Sequence, residues 1–198
     1  MKPKLLILTG PQGSGNHLFS KILSKHPLVS GWRMQSYWEG HHEEPFNDYW
    51  ENPSKLETYV WDKPYYFTSI SCPYVKNKQM QIPKYKEFIE AASKYVDVQI
   101  VIIGRDKNIL NTQQARVRKQ VTVDIALTNF EYLYKLNPIF ISQELYHLYG
   151  NNYLQAISKQ LNFPIAIQDI AEDTNSKYIN VIEEQPLDLE VLKACKES

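Results

Sequence analysis

The chain has 198 residues, 43% of them hydrophobic, and its 22 Lys and Arg balance its 22 Asp and Glu, so the formal net charge at pH 7 is zero. The length and apolar content predict a single globular domain over residues 1–198, and the zero net charge argues against a nucleic-acid partner. The N-terminus lacks the features of a signal peptide, no run reaches the roughly 18 apolar residues of a membrane helix, and the two cysteines are too few for a disulfide framework. These features predict a soluble cytoplasmic protein that has no membrane partner.

The first third of the chain begins with an apolar run at residues 4–9, typical of a strand that is buried on both faces. A glycine-rich loop follows, then helical spacing over residues 17–26 that Pro27 ends, then a short strand at residues 28–32. This order predicts a βαβ unit. Residues 33–58 have no clean period, and we expect an irregular segment there with one short helix.

Strands and helices alternate through the rest of the chain. Apolar runs predict strands at residues 65–71, 98–103 and 139–142, with a further strand at 177–182. Helices are predicted at residues 83–95, 108–119, 123–136 and 152–161. This alternation predicts an α/β fold with a mostly parallel central sheet flanked by helices.

The glycine-rich loop after the first strand is the strongest functional signal. Gly10, Gly13 and Gly15 allow a tight turn that brings backbone N–H groups toward one point, and the following helix N-terminus adds partial positive charge. This arrangement favours phosphate or sulfate. A nucleotide kinase needs Lys and a hydroxyl residue after the last glycine, whereas this chain has Asn16 and His17.

A second anion site is expected at Arg105. This residue follows the strand at residues 98–103, and ligands of parallel sheets bind outside the carboxyl ends of the strands. The loop and Arg105 together suggest a nucleotide that carries phosphates at both its 5′ and 3′ ends.

Three motifs, in order, resemble those of the sulfotransferases that use PAPS (3′-phosphoadenosine 5′-phosphosulfate). Ser14-Gly15-Asn16-His17-Leu18 resembles their 5′-phosphosulfate loop, and the segment from Ile102 to Thr112 resembles their 3′-phosphate motif. The third match is Phe140-Ile141-Ser142-Gln143-Glu144-Leu145, followed by a helix and Asn162-Phe163-Pro164. The resemblance spans roughly residues 4–165.

The resemblance implies a three-layer P-loop-type fold and a single sulfotransferase-like domain. It implies metal-independent transfer of a sulfuryl group from PAPS, leaving PAP, to a hydroxyl or amine of a small-molecule, glycan or peptide acceptor. The residues implied to bind the nucleotide are Gly10, Gln12, Gly13, Ser14, Gly15, Asn16, His17, Arg105 and Thr112.

The catalytic base departs from the family pattern. Ser71 stands where cytosolic members carry a catalytic histidine, and Gly13 stands where many members carry Lys or Arg. Sulfuryl transfer needs a base near neutral pKa, and Glu39 and His41 in the irregular segment are the two candidates. Two alternatives stay open, a P-loop nucleotide or small-molecule kinase and a catalytically inactive nucleotide-binding relative.

Overall fold

A computed structural model of the protein describes residues 2–30, 46–76 and 79–167. The elements below belong to one compact unit, Met1–Ile167. Residues 31–45, which include Glu39 and His41, lie outside the described ranges, as does the strand predicted at residues 177–182.

Five parallel strands form the central sheet, in the order β2-β3-β1-β6-β7. A separate antiparallel pair is formed by β4 and β5. The strands are β1 (Lys4–Pro11), β2 (Val29–Ser30), β3 (Tyr65–Cys72), β4 (Tyr74–Lys76), β5 (Gln79–Gln81), β6 (Asp97–Gly104) and β7 (Ile139–Ser142). The prediction of an α/β fold with a mostly parallel sheet is confirmed.

Helices connect and flank these strands. They are α1 (Asn16–Leu23), α2 (Asn47–Glu51), α3 (Tyr85–Ser93), α4 (Lys107–Arg118), α5 (Val123–Asn129), α6 (Glu131–Tyr134) and α7 (Gln143–Leu161), with a 3₁₀ helix at Pro53–Thr58. None of the described helices is both long and apolar enough to cross a membrane.

Three predictions of helices and strands were incomplete. The helix predicted at residues 152–161 forms the second part of α7. The first part, which begins at Gln143 after the capping side chain of Ser142, was not predicted, and Gly150, whose backbone angles are non-helical, separates the two parts. The helix predicted at residues 123–136 divides at Phe130 into α5 and α6. The β4–β5 pair was not predicted, since strands of three residues are too short to show an alternating apolar pattern.

The two faces of the sheet bury different side chains. Alternate residues of the strands on one face join a core that includes the stacked rings of Trp50 and Phe88, whose centroids lie 3.9 Å apart. On the opposite face, Ser71 is contacted by Asn16 of α1, and Phe19 of α1 meets Tyr146 of α7 edge to face. Thus α2 and α3 cover one face, while α1 and α7 cover the other.

The order of the strands creates a crevice at one edge of the sheet. After the carboxyl end of β1, the chain passes through α1 to β2 on one side of the sheet. After the carboxyl end of β6, it passes through α4, α5 and α6 to β7 on the other side. Because β2 lies on the β1 side of the neighbouring pair β1–β6 and β7 lies on the β6 side, the two connections leave in opposite directions. A crevice of this kind is where open α/β sheets bind ligands.

Candidate functional site

The loop between β1 and α1 lies in this crevice. Gly13 and Gly15 have φ of 89° and 107°, in the left-handed region that favours glycine. A turn bond from Ser14 N to Pro11 O, 3.1 Å long, closes the loop. Gly15 is the N-cap of α1, no side chain caps the helix, and its first turn has no acidic residue. The N-terminus of α1 therefore carries neither a capping side chain nor a negative charge, and the helix dipole there favours an anion.

Ser14 points into the loop. It is fully buried, and its Oγ has no hydrogen-bond partner among the described residues. A Cβ on Gly10 would lie 2.3 Å from this Oγ, so the serine adopts its position only because residue 10 is glycine. The buried hydroxyl supplies one donor inside the loop.

Asn16 stands where a kinase loop carries lysine, and its side chain holds the loop against the sheet by hydrogen bonds. Its Nδ2 donates to Ser71 Oγ at 2.8 Å, at the carboxyl end of β3, and to Gly10 O at 3.3 Å. Its Oδ1 is buried and has no partner among the described residues. The resemblance placed Ser71 at the position of a catalytic histidine, and the structure places it beside the loop.

Arg105 binds the loop from the carboxyl end of β6. Its Nη1 donates to Gly13 O and to Gln113 Oε1, each at 2.7 Å. Its Nε lies 3.7 Å from Glu144 Oε1, and only 15% of the side chain is exposed. Burial lowers the pKa of Arg105, while the Glu144 carboxylate raises it. A guanidinium keeps its proton at neutral pH even so, and it brings a buried positive charge to the loop.

Gln114 supports the loop from α4, which sequence reasoning missed. It is 1% exposed; its Nε2 donates to Gln12 O at 2.6 Å, and its Oε1 accepts from Thr122 N at 2.6 Å. The available signal was spacing, since Gln114 lies four residues after the buried Leu110 on the same helix face.

The structure brings most of the predicted nucleotide-binding residues together. Gln12, Gly13, Ser14 and Gly15 form the loop, Gly10 and Asn16 flank it at the ends of β1 and α1, and Arg105 contacts it. His17 is exposed in the first turn of α1, and Thr112 is exposed on α4. The two candidate bases, Glu39 and His41, lie outside the described residues.

Two other features of the described residues bear on function. No group of three or more His, Cys, Asp or Glu side chains within residues 2–30, 46–76 and 79–167 is placed to hold a metal ion. An open surface groove of about 490 Å³ runs along α3 and the 3₁₀ helix, lined mainly by charged residues of both signs such as Glu87 and Lys94. None of the loop residues lines this groove.

Comparisons of the chain with protein-family models, with curated proteins and with solved structures found no match. What the site does is therefore inferred from its own residues.

Proposed function

We propose that the chain binds PAPS at the β1–α1 loop and transfers its sulfuryl group to a hydroxyl or amine acceptor. The observation that carries the proposal is the loop itself. Left-handed glycines at positions 13 and 15 lead into a helix N-terminus without a side-chain cap, at the carboxyl ends of β1 and β6. A site of this kind holds a phosphate or sulfate group. A three-layer P-loop-type fold is part of the same proposal.

The described residues contribute electrostatic stabilisation to the proposed reaction. The acceptor atom forms a bond to sulfur while the bond from sulfur to the 5′-phosphate oxygen breaks, and PAP leaves with that electron pair. The N–H groups of the loop and α1 then stabilise the charge on the leaving phosphate. The Ser14 hydroxyl is a further donor. The acceptor's proton passes to a base, for which Glu39 and His41 are the candidates.

Arg105 is assigned to the 3′-phosphate. A guanidinium has five N–H donors, and Nη1 of Arg105 is engaged with Gly13 and Gln113. The Nε and Nη2 edge remains for a phosphate, which would displace the weak 3.7 Å contact with Glu144. Thr112, exposed on α4, would supply a hydroxyl donor to the same group.

A second candidate function is nucleotide binding without turnover. The observation that favours it is the hydrogen bond from Asn16 to Ser71. Ser71 stands at the position where sulfotransferases carry the catalytic histidine, and its hydroxyl is a poor base. The same contact weighs against the kinase alternative, since the residue at the lysine position is tied to β3.

Calorimetric titration with PAP and, separately, with ATP and magnesium tests the nucleotide. We expect PAP to bind and Arg105→Ala to weaken it about tenfold or more, roughly 1.4 kcal/mol. Arg105→Lys keeps the charge but loses the planar fork, so it should restore only part of the affinity. Arg118→Ala, the same change at the exposed far end of α4, is the matched control and should bind PAP as the wild type does.

The outcomes separate the candidate functions. Absence of PAP binding would refute the sulfotransferase proposal, and binding of magnesium ATP instead would favour a kinase. If PAP binds, release of PAP from PAPS in the presence of phenol or amino-sugar acceptors distinguishes an enzyme from an inactive relative. Loss of that release in Glu39→Gln or His41→Asn would identify the base.

A further inference from the structure

Gln143, the first residue of α7, lies directly against the helix end that forms the anion site. It is 4% exposed. Its Oε1 lies 3.0 Å, and its Cδ 3.3 Å, from the point that a Cβ on Gly15 would occupy. Gly15 is the N-cap of α1 and has no side chain of its own to offer the helix. The amide of Gln143 therefore occupies the place beside the loop that a capping side chain would otherwise fill.

The amide of Gln143 is unsatisfied in the orientation that the structure gives it. Its Oε1 is buried and has no hydrogen-bond partner among the described residues. Its Nε2 lies 3.2 Å from Nε2 of His147, one turn further along α7. A buried polar atom without a partner destabilises a protein. This oxygen is an acceptor and cannot bond an anion, so only the NH₂ end of the amide could serve a ligand held by the loop.

Rotation of the amide by half a turn gives the oxygen a partner and turns the NH₂ group toward the loop. The terminal torsion of glutamine is broad and two-fold, and the two ends of an amide are similar in size. After this rotation Oε1 accepts a hydrogen bond from the Nε2–H of His147, while the NH₂ group faces Gly15 and the loop. The neutral NH₂ then donates to the anion.

We propose that Gln143 is a binding residue of the anion site, donating its amide N–H to the group held by the β1–α1 loop, and that His147 is the positioning residue that orients this amide. The assignment rests on the proposed anion-binding function of the loop. It adds a donor from α7 to those of the loop, and thereby selects a ligand whose terminal oxygens are unprotonated acceptors, as those of a sulfuryl group are.

Binding of two probes to variants of the full chain tests this assignment. The probes are PAP, measured by calorimetry, and inorganic sulfate, measured by the increase in unfolding temperature. Gln143→Glu replaces the donor by an acceptor and adds a negative charge, so both probes should bind at least about tenfold more weakly. Gln155→Glu makes the same charge change at an exposed position of α7 and is the matched control, expected to bind as the wild type does.

The role of His147 is tested by non-additivity. Gln143→Met and His147→Ala should each weaken PAP binding, and the double variant should bind no more weakly than Gln143→Met alone, because the two side chains act as one unit. A purely structural effect would instead lower the unfolding temperature of the variants without ligand and leave the two losses of affinity additive. That result would overturn the positioning role.

The two probes keep this assignment distinguishable from the proposed function. If the wild type binds sulfate but not PAP, the PAPS proposal fails, and weaker sulfate binding by Gln143→Glu still supports the assignment. If the wild type binds PAP and Gln143→Glu binds it equally well, the assignment fails and the proposed function stands. Binding of neither probe by the wild type refutes both.

Discussion

Replacement of Gly15 by alanine tests the contact between the loop and α7 most directly. The added Cβ meets Gln143 Oε1 at 3.0 Å and Cδ at 3.3 Å, so the amide must move. Alanine at a φ of 107° also costs about 1–2 kcal/mol, because its Cβ crowds the backbone in the left-handed region. Overpacking adds about 1–3 kcal/mol. We expect the free energy of unfolding to fall by roughly 2–5 kcal/mol in total.

Truncation of the partner separates the two contributions. In a Gln143→Ala background only Cβ of residue 143 remains, at 3.7 Å from the new methyl group, which is an ordinary contact. In that background Gly15→Ala should lower the free energy of unfolding only by the contribution of the left-handed backbone, about 1–2 kcal/mol. Urea unfolding followed by circular dichroism on the four proteins of this cycle gives the coupling energy, expected at about 1–3 kcal/mol.

If Gly15→Ala lowers the free energy of unfolding equally in the two backgrounds, the contact between residue 15 and the Gln143 amide is refuted. Gly104→Ala is the control for the exchange of glycine for alanine itself. Its φ is ordinary, and the atom nearest to a new Cβ is Ile141 O at 3.8 Å. A loss of stability at Gly104 as large as that at Gly15 would show that the effect does not come from the geometry of the loop.

Three further predictions concern the surroundings of the loop. Gln114→Leu leaves Gln12 O and Thr122 N without their partner and should lower the free energy of unfolding in urea by about 2–4 kcal/mol. Asn16→Asp removes the donor that holds the loop to the sheet and adds negative charge, so calorimetry should show PAP binding weakened about tenfold or more. Burial raises the pKa of the Cys72 thiol from 9.0 to about 11. The stability contributed by the protonated thiol is complete below pH 9 and is lost as pH rises through about 11. Urea unfolding across this pH range should therefore show that the free energy of unfolding falls by about 2 kcal/mol less in Cys72→Ala than in the wild type.

The buried strands of the central sheet were predictable because they satisfy a local rule. A strand of a parallel sheet is buried on both faces, so it appears as an unbroken apolar run. Residues 98–103, predicted from such a run, fall within β6 (Asp97–Gly104). The same rule located β1, and the ends of β1 and β6 then placed Arg105 and the glycine loop at one edge of the sheet.

The partners of the polar side chains were not predictable, because no local pattern encodes them. Gln143 and Gln114 look like ordinary polar helix residues, and each acquires its role only when distant strands bring their helices against the loop. The first half of α7 escaped prediction for a related reason. Leu148 is 74% exposed there, so the segment has no apolar stripe facing the core.

Asn16 stands where a kinase loop carries lysine, and the loop sequence alone does not show which charges surround it. From the loop alone, the missing lysine suggests a site without a fixed positive charge. The structure places a positive charge beside the loop from another element, because Arg105 lies at the end of the neighbouring strand and its guanidinium donates to Gly13 O at 2.7 Å. A cation held by the sheet, 92 residues away in sequence, is fixed by backbone geometry and by Gln113. Asn16 supplies no charge, and its amide instead holds the loop against β3 through the hydrogen bond to Ser71.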